Sequence, residues 1–337
     1  MVRRARARVL RRGGRRGALR RAHEPRRPGG ATVRVRHVLS ATTCSVTEAP
    51  HLSLVLPAYR AAAFIEENVR TVNSVLEELG RPFEVIVVVD GAIDDTTARV
   101  RGLGDPRVSA IEYGENQGKG FALCVGVAHA RGRLVGWLDA DLDVHPSVIV
   151  AAAHLLQEHE IDAVVGSKRH ADSQVEYPAV RRVLSLGFQM LVRAALRVDV
   201  RDTQTGAKLF RREVLDTVIP LLLIKRYAFD LEVLAVASLF GFDRVEEVPI
   251  QLDYRFAGTG IDSEAVRRMF MDTLAIAYRV RLRHWYVRQY AALQRARVNV
   301  GDGPVADLPT VPASNLAVFQ ALLPDDPAIE GRAGEPV

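Results

Sequence analysis

The chain has 337 residues, 48% of them hydrophobic, enough to bury a substantial core in one large domain or two small ones. Its formal net charge of +6 is lopsided: residues 1–36 hold 14 Arg and one Glu, a net +13, so the remainder carries −7 and the basic character belongs to the tail. No apolar run reaches the roughly eighteen residues of a membrane span, and the two distant cysteines, Cys44 and Cys124, suggest neither a disulfide framework nor a zinc site, so a reducing, cytosolic setting is expected.

Residues 1–48 are rich in Arg, Gly and Ala without apolar periodicity and read as a disordered tail; the apolar centre of a secretory signal is missing. An arginine arm can meet nucleic acid or anionic lipid by counterion release. No aromatic residue is interleaved among these arginines and no nucleic-acid motif follows, so nucleic acid is not expected as a partner. The fold is expected to begin at His51. Residues 52–56 form a β-rich run stopped by Pro57, and residues 61–79 carry Phe64, Val69, Val72, Val75, Leu76 and Leu79 at helical spacing before Gly80. Residues 83–89, FEVIVVV, read as a strand covered on both faces, running into Asp90 and Gly91. Asp94, Asp95 and Thr96 open a helix, residues 108–112 give a third strand, and Asn116, Gly118, Lys119 and Gly120 lead into a helix over 121–130. Residues 134–138 are the fourth strand. This alternation predicts an α/β fold with a mostly parallel, doubly wound sheet flanked by helices.

The fourth strand runs directly into Asp139, Asp141 and Asp143 within RLVGWLDADLDVHP, residues 133–146. Strand ends face the crevice of such a sheet, and carboxylates crowded there repel one another unless a cation sits between them. Mg²⁺ or Mn²⁺ holding a diphosphate fits, because hard cations take carboxylate and phosphate oxygens; a solvated acidic turn is the alternative. Farther on, residues 180–198 mix Val183, Leu184, Phe188, Leu191, Val192 and Leu196 with arginines, and residues 231–240 read as a helix opened by Asp230 and Glu232. Residues 245–254 read as a late strand that Pro249 assigns to an edge. Residues 264–293 read as one long helix with Val266, Met269, Phe270, Leu274 and Tyr278 on one side and arginines elsewhere. That pattern suits peripheral membrane docking or a packed terminal helix.

LPAYR at 56–60, VVDGAIDDT at 88–96, NQGKG at 116–120 and DADLD at 139–143 resemble the nucleotide-sugar domain of family 2 glycosyltransferases, which have the GT-A fold. GSKR at 166–169, RDTQTGAKLF at 201–210 and YAFDLEVL at 227–234 resemble a narrower branch, the dolichyl-phosphate (polyprenyl-phosphate) β-glucosyltransferases, with the dolichyl-phosphate mannose synthases near them. The resemblance covers about residues 50–260. It implies four regions: a tail over 1–48, a GT-A domain over 49–260, a basic amphipathic helix over 261–296 and a disordered end over 297–337.

The activity implied is an inverting, metal-dependent transfer of a hexose, glucose from UDP-glucose, to dolichyl or polyprenyl phosphate on the cytoplasmic side of a membrane. GDP-mannose as donor, a soluble acceptor, and a silent domain on a nucleic-acid or membrane binder are the alternatives. By the same resemblance Asp139, Asp141 and Asp143 hold Mg²⁺ or Mn²⁺ against the diphosphate, and Pro57 and Tyr59 lie at the nucleotide. Asp90 meets base or ribose, or else caps a turn; Lys119 faces the ligand, or else solvent. Lys168, Arg169, Arg201 and Lys208 are assigned to phosphates, while Arg211 and Arg212 are expected in surface salt bridges. An ionised phosphate acceptor needs no general base, so Asp230 and Glu232 are expected to orient the sugar or the basic residues near the reaction, or else to cap their helix. The family's first motif usually continues Asn-Glu-Glu where this chain has Arg60, Ala61 and Ala62, and its second has two adjacent Asp where Val89 precedes Asp90.

Overall fold

The computed structural model describes residues 35–37, 49–173, 190, 192, 193, 196, 200, 202–224, 228–251 and 263–300. Its centre is an eight-stranded sheet of β1 (Val35–His37), β2 (Leu52–Ala58), β3 (Phe83–Asp90), β4 (Val108–Tyr113), β5 (Leu134–Trp137), β6 (Ala163–Ser167), β7 (Lys208–Arg211) and β8 (Val245–Pro249). The strand order is β1-β4-β3-β2-β5-β7-β6-β8. β4, β3, β2 and β5 run parallel, β7 is antiparallel to both its neighbours, and β8 returns parallel to β6 at the edge. The chain therefore builds outward from β2 through β3 to β4, then crosses back to place β5 on the other side of β2. That reversal opens a crevice beyond the carboxyl ends of β2 and β5.

Both faces of the parallel strands are covered, which is why they are mostly apolar. Leu52, Leu54 and Leu56 of β2 pack with Val85, Val87 and Val89 of β3 under helices α1 (Ile65–Leu76) and α4 (Ser147–Glu158). Val55, Ile86 and Val88 point the other way, toward α3 (Lys119–His129) and α6 (Phe229–Leu239). Helix α2 (Thr96–Gly102) links β3 to β4, and α5 (Arg212–Val218) follows β7.

Several boundaries differ from the sequence reading. Pro57 does not stop β2, which pairs with β3 as far as Ala58. Val55 gives its carbonyl to Leu138 on the β5 side, and Pro57, two residues on, faces that side where β5 has already ended, so its missing N–H leaves no gap. The helix expected from residue 61 starts at Ile65 and closes through a short turn, Glu77–Leu79, with Gly80 left-handed at φ 58°. Val35–His37, expected in the disordered tail, forms an edge strand paired antiparallel with β4; the rest of residues 1–48 lies outside the described residues, as does 301–337. The single helix expected over 264–293 is two. α7 (Ser263–Ala277) passes into a π-helical turn, Tyr278–Leu282, the chain breaks at His284 with φ 45°, and α8 (Trp285–Val300) follows. Arg211 and Arg212 do not rest on surface ion pairs alone: Arg211 donates to the carbonyls of Leu156 and Ile161, and Arg212 to those of Ala130 and Gly132. They tie down the ends of α4 and α3, where helix carbonyls lack partners. Of the stripe over 180–198, Val192 and Leu196 are buried; most of the rest lies outside the described residues.

Candidate active site

β5 ends at Trp137 and the chain turns at once. The Leu142 N–H closes the turn on the Asp139 carbonyl at 3.1 Å, with Leu142 itself left-handed at φ 56°. Ala140, Leu142 and Val144 are buried, so the alternate residues Asp139, Asp141 and Asp143 are left half-exposed on the crevice side. Asn68, buried on α1, donates its side-chain amide to the Ala140 carbonyl at 2.8 Å and fixes the turn from below. Asp141 accepts the Asp143 backbone N–H at 3.2 Å.

The charges around this turn act on one another. Burial opposes ionisation of Asp139, but the Lys119 ammonium paired with it, helped by Lys208 and Lys168, holds its pKa below the usual carboxylate value. Asp141 is pushed up, first by burial and then by the negative charge of Asp139. Lys119 is held protonated by Asp139, Asp230 and Asp141 against the desolvation it suffers. Lys119, Lys168, Lys208, Asp139, Asp141 and Asp230 thus form one electrostatic group at the carboxyl end of β5.

Among the described residues no three carboxylate, histidine or cysteine side chains gather as a metal cage, so Asp139, Asp141 and Asp143 do not converge as three. The left-handed Leu142 turns the chain between the second and the third. Asp139 and Asp141 nevertheless suit Mg²⁺ or Mn²⁺: such ions are held by one or two carboxylates completed by phosphate oxygens and water, and a cation would relieve the repulsion that raises Asp141.

Asp90 is committed to its own loop. It is buried, and its two oxygens accept the N–H groups of Gln117 at 2.6 Å and Gly118 at 2.9 Å, while Asn116 donates to its carbonyl. These bonds are those of the turn alternative: Asp90 folds the loop that delivers Lys119 to Asp139, and Gly118, at φ 99°, makes the bend into α3. Tyr59, past the end of β2, is 46% exposed with the Arg60 guanidinium 5.3 Å from its ring centre, and Pro57 lies beside it in the crevice wall.

On the other side of β5 the segment 202–206 is knotted to β6. Asp202 accepts the Lys168 backbone N–H at 3.1 Å, the Thr205 hydroxyl at 2.6 Å and the Gln204 N–H at 3.1 Å. This holds Lys168 and its half-exposed neighbour Arg169 at the crevice. Gly206 passes so close to the acidic turn that a Cβ there would sit 1.8 Å from Asp139 Oδ2. Lys208, assigned to phosphates, is 1% exposed and donates to the Thr205 carbonyl and, at 2.8 Å, to Asp230 Oδ1. The same Asp230 oxygen accepts the Trp137 indole N–H at 3.1 Å. Asp230 therefore braces the floor beneath Asp139. Glu232 is farther still from a ligand role, being fully buried among the Tyr286 hydroxyl, Arg279 and the N–H groups of Leu223 and Ile224. A side chain with no exposed surface and four donors of its own chain cannot orient a sugar. Arg201 lies outside the described residues.

Asn68, Trp137, Asp202 and Gly206 were not assigned site roles from the sequence. Asp202 and Gly206 lie in the RDTQTGAKLF motif, and Asn68 left its own signal, a polar side chain within the apolar stripe Ile65, Val69, Val72. Trp137 acts through a contact between distant segments.

The sequence profile described as glycosyl transferase family 2 matches residues 53–219. A dolichyl-phosphate beta-glucosyltransferase of Drosophila melanogaster is 33% identical over 219 residues, 60% of this chain and 67% of that protein. One from Trichomonas vaginalis is 29% identical over 270 residues, 76% of this chain and 77% of its own. Among solved structures, glucosyl-3-phosphoglycerate synthase from Mycobacterium tuberculosis in complex with Mn²⁺, uridine diphosphate and phosphoglyceric acid superposes with a TM-score of 0.51 at 24% identity, covering 68% of this chain and 78% of that one. It shares the fold.

Proposed function

The chain belongs to glycosyl transferase family 2 and is a glycosyltransferase, and from that premise we propose that it transfers glucose from UDP-glucose to dolichyl or another polyprenyl phosphate, with inversion. The observation that carries the reading is the half-exposed pair Asp139 and Asp141 set against Lys119 and Lys168 at one strand end. Such a group suits a ligand made of anions and a cation, a nucleoside diphosphate with its metal. The glucosyl donor and lipid acceptor rest on the names of the relatives.

Asp139 and Asp141 would hold Mg²⁺ or Mn²⁺, which when bound supplies Lewis-acid neutralisation of the diphosphate that leaves. Tyr59 and Pro57 would line the nucleoside end of the crevice. The acceptor phosphate arrives already largely ionised, with a second pKa of about 6, so the chain needs no general base. Its work is alignment: Lys168 and Arg169, positioned by Asp202, offset the repulsion between two anionic reactants while one oxygen attacks the anomeric carbon from the face opposite the diphosphate. The buried Lys208, Asp230 and Trp137 keep that floor rigid. Among the described residues no helix is long and apolar enough to cross a membrane, and we place the enzyme peripherally on the cytoplasmic face, where lipid phosphate and nucleotide sugar meet.

The test incubates purified protein with polyprenyl phosphate in detergent, Mn²⁺ and a panel of radiolabelled nucleotide sugars, scoring label extracted with the lipid. Label from UDP-glucose supports the reading, label from GDP-mannose alone replaces the donor, and none from any donor sinks it.

A further inference from the structure

The C-terminal helices expose apolar side chains that the core leaves unused. Phe270, Met271, Leu274, Tyr278 and Leu282 are 45, 54, 40, 51 and 72% exposed. Spaced by three and four residues from Met271 onward, with Phe270 beside it, they lie along one side of α7 and its π-helical turn. The opposite side is committed to the fold: Thr273, Ile276 and Val280 are buried, and Arg279 pairs with Glu232 at 3.2 Å. Of the two alternatives for this helix, docking at a membrane or packing as a terminal helix, Phe270, Leu274 and Tyr278 are not used for packing.

Charge identifies the occupant. Residues 267–295 hold seven Arg and one acidic residue, Asp272. Arg267 and Arg268 are exposed before the apolar stripe, and Arg281, Arg283 and Arg288 at and beyond its end. Scattered apolar residues on a surface are ordinary, but five in one stripe rimmed by arginine mark an interaction face. In a two-fold dimer built on this stripe the same patch faces itself, which would set arginine rims near one another. An anionic lipid surface instead takes the apolar side chains among its acyl chains and the guanidinium groups among its headgroups.

We infer that the exposed side of α7 and the Tyr278–Leu282 turn inserts into an anionic lipid interface. This deepens the lipid-acceptor reading and rests on it only for its purpose. The turn is joined to the active-site floor through one helix: Arg279 and Tyr286 grip Glu232 on α6, and two residues away Asp230 holds Lys208 beneath the crevice.

The test places a reporter in the face itself, because the arginine tail can tether the full chain to anionic vesicles without burying α7. In full-length protein carrying Tyr278→Trp, phosphatidylserine-containing vesicles should shift the new tryptophan emission to the blue, and brominated lipids should quench it. Both signals should survive about 0.5 M salt, which screens a purely electrostatic tether. Adding Phe270→Ser, Leu274→Ser and Leu282→Ser should lower vesicle partitioning in that salt by roughly tenfold or more and abolish the shift, leaving transfer to a short-chain, detergent-free polyprenyl phosphate intact. Leu282→Ser alone, at the most exposed position, serves if the triple variant melts early. An unshifted reporter on vesicles, a shift that persists in the serine variants, or a shift without lipid that grows with protein concentration overturns the inference. Absence of transfer to any lipid phosphate would sink the functional reading while leaving the fluorescence result standing.

Discussion

Asp139 with Asp141, and Asp230 with Glu232, are carboxylates set two residues apart, and the fold uses the two pairs in opposite ways. The first pair sits in a turn just past β5, where alternate burial of Ala140 and Leu142 leaves the carboxylates half-exposed. The second sits in the first turn of α6, whose residues are buried on every side from Phe229 to Ala237. Each pair has a lysine. Lys119 meets Asp139 at the open crevice, whereas Lys208 meets Asp230 with its side chain wholly enclosed. Residue type and spacing are nearly the same; what differs is how many lone pairs remain for something other than the protein.

The difference is broken most sharply at Asp141. An Asn there keeps the shape and removes the charge, so transfer should fall by roughly 10²- to 10³-fold, as for loss of one preorganised electrostatic contact in other enzymes. The fold should stay intact or gain slightly from relieved repulsion with Asp139. Turnover across a Mn²⁺ titration, with thermal melting beside it, measures both; near-normal, metal-insensitive transfer by a folded Asp141→Asn protein would remove the metal assignment.

Lys208→Met tests the enclosed pair and should lower both stability and turnover. It strands the Asp230 carboxylate with only the Trp137 N–H, and breaking a buried pair typically costs about 3–5 kcal/mol. Turnover per folded molecule should drop less than in Asp141→Asn, and KM for the donor should stay near normal, because Lys208 touches no solvent-facing surface. A large rise in donor KM without loss of Tm would mean that Lys208 reaches the phosphates after all.

Gly206→Ala carries the buried side into the open one. Its Cβ would collide with Asp139, so Asp139 or the 202–206 segment must move by more than an ångström. The expected result is a raised Mn²⁺ requirement, with a drop in turnover of up to about a hundredfold, the scale of an ångström-sized misplacement. Unchanged Mn²⁺ dependence would show that the segment yields instead.

Much of the open half was legible before any coordinates. FEVIVVV could only be a strand covered on both faces, and the Asp-x-Asp-x-Asp run followed a strand directly, so the crevice and its acidic turn were readable from periodicity. The enclosed half was not. Asp230 and Glu232 at a helix start look the same whether they face solvent, ligand or core, and only the distant Trp137, Lys208 and Tyr286 decide. Asp90 shows the same limit, since a strand-end carboxylate is equally able to bind a ribose or its own loop. The break between α7 and α8 carries no glycine or proline; His284 takes φ 45° between Arg279 and Tyr286, which both reach Glu232.

Glu232→Gln should produce the smallest effect, and its sign is specific. Burial raises the Glu232 pKa above the ordinary carboxylate value, although the Tyr286 hydroxyl, the Ile224 N–H and Arg279 pull it down. The folded protein therefore holds this proton more tightly than the unfolded chain does. Stability contributed by that proton is present at low pH and is lost as pH rises from the unfolded value of about 4.3 through the raised folded one. Glutamine cannot titrate, so the variant should lack this decline, and its melting temperature should run flatter with pH across the weakly acidic range. It should also lie lower at neutral pH, by about 1–3 kcal/mol in stability, because an amide cannot accept from all four donors. Melting curves between acid and neutral pH, paired with turnover that changes little per folded molecule, check both parts. A Glu232→Gln protein that melts like the parent but loses transfer would return Glu232 to the open half of the molecule, as a residue that meets the substrate.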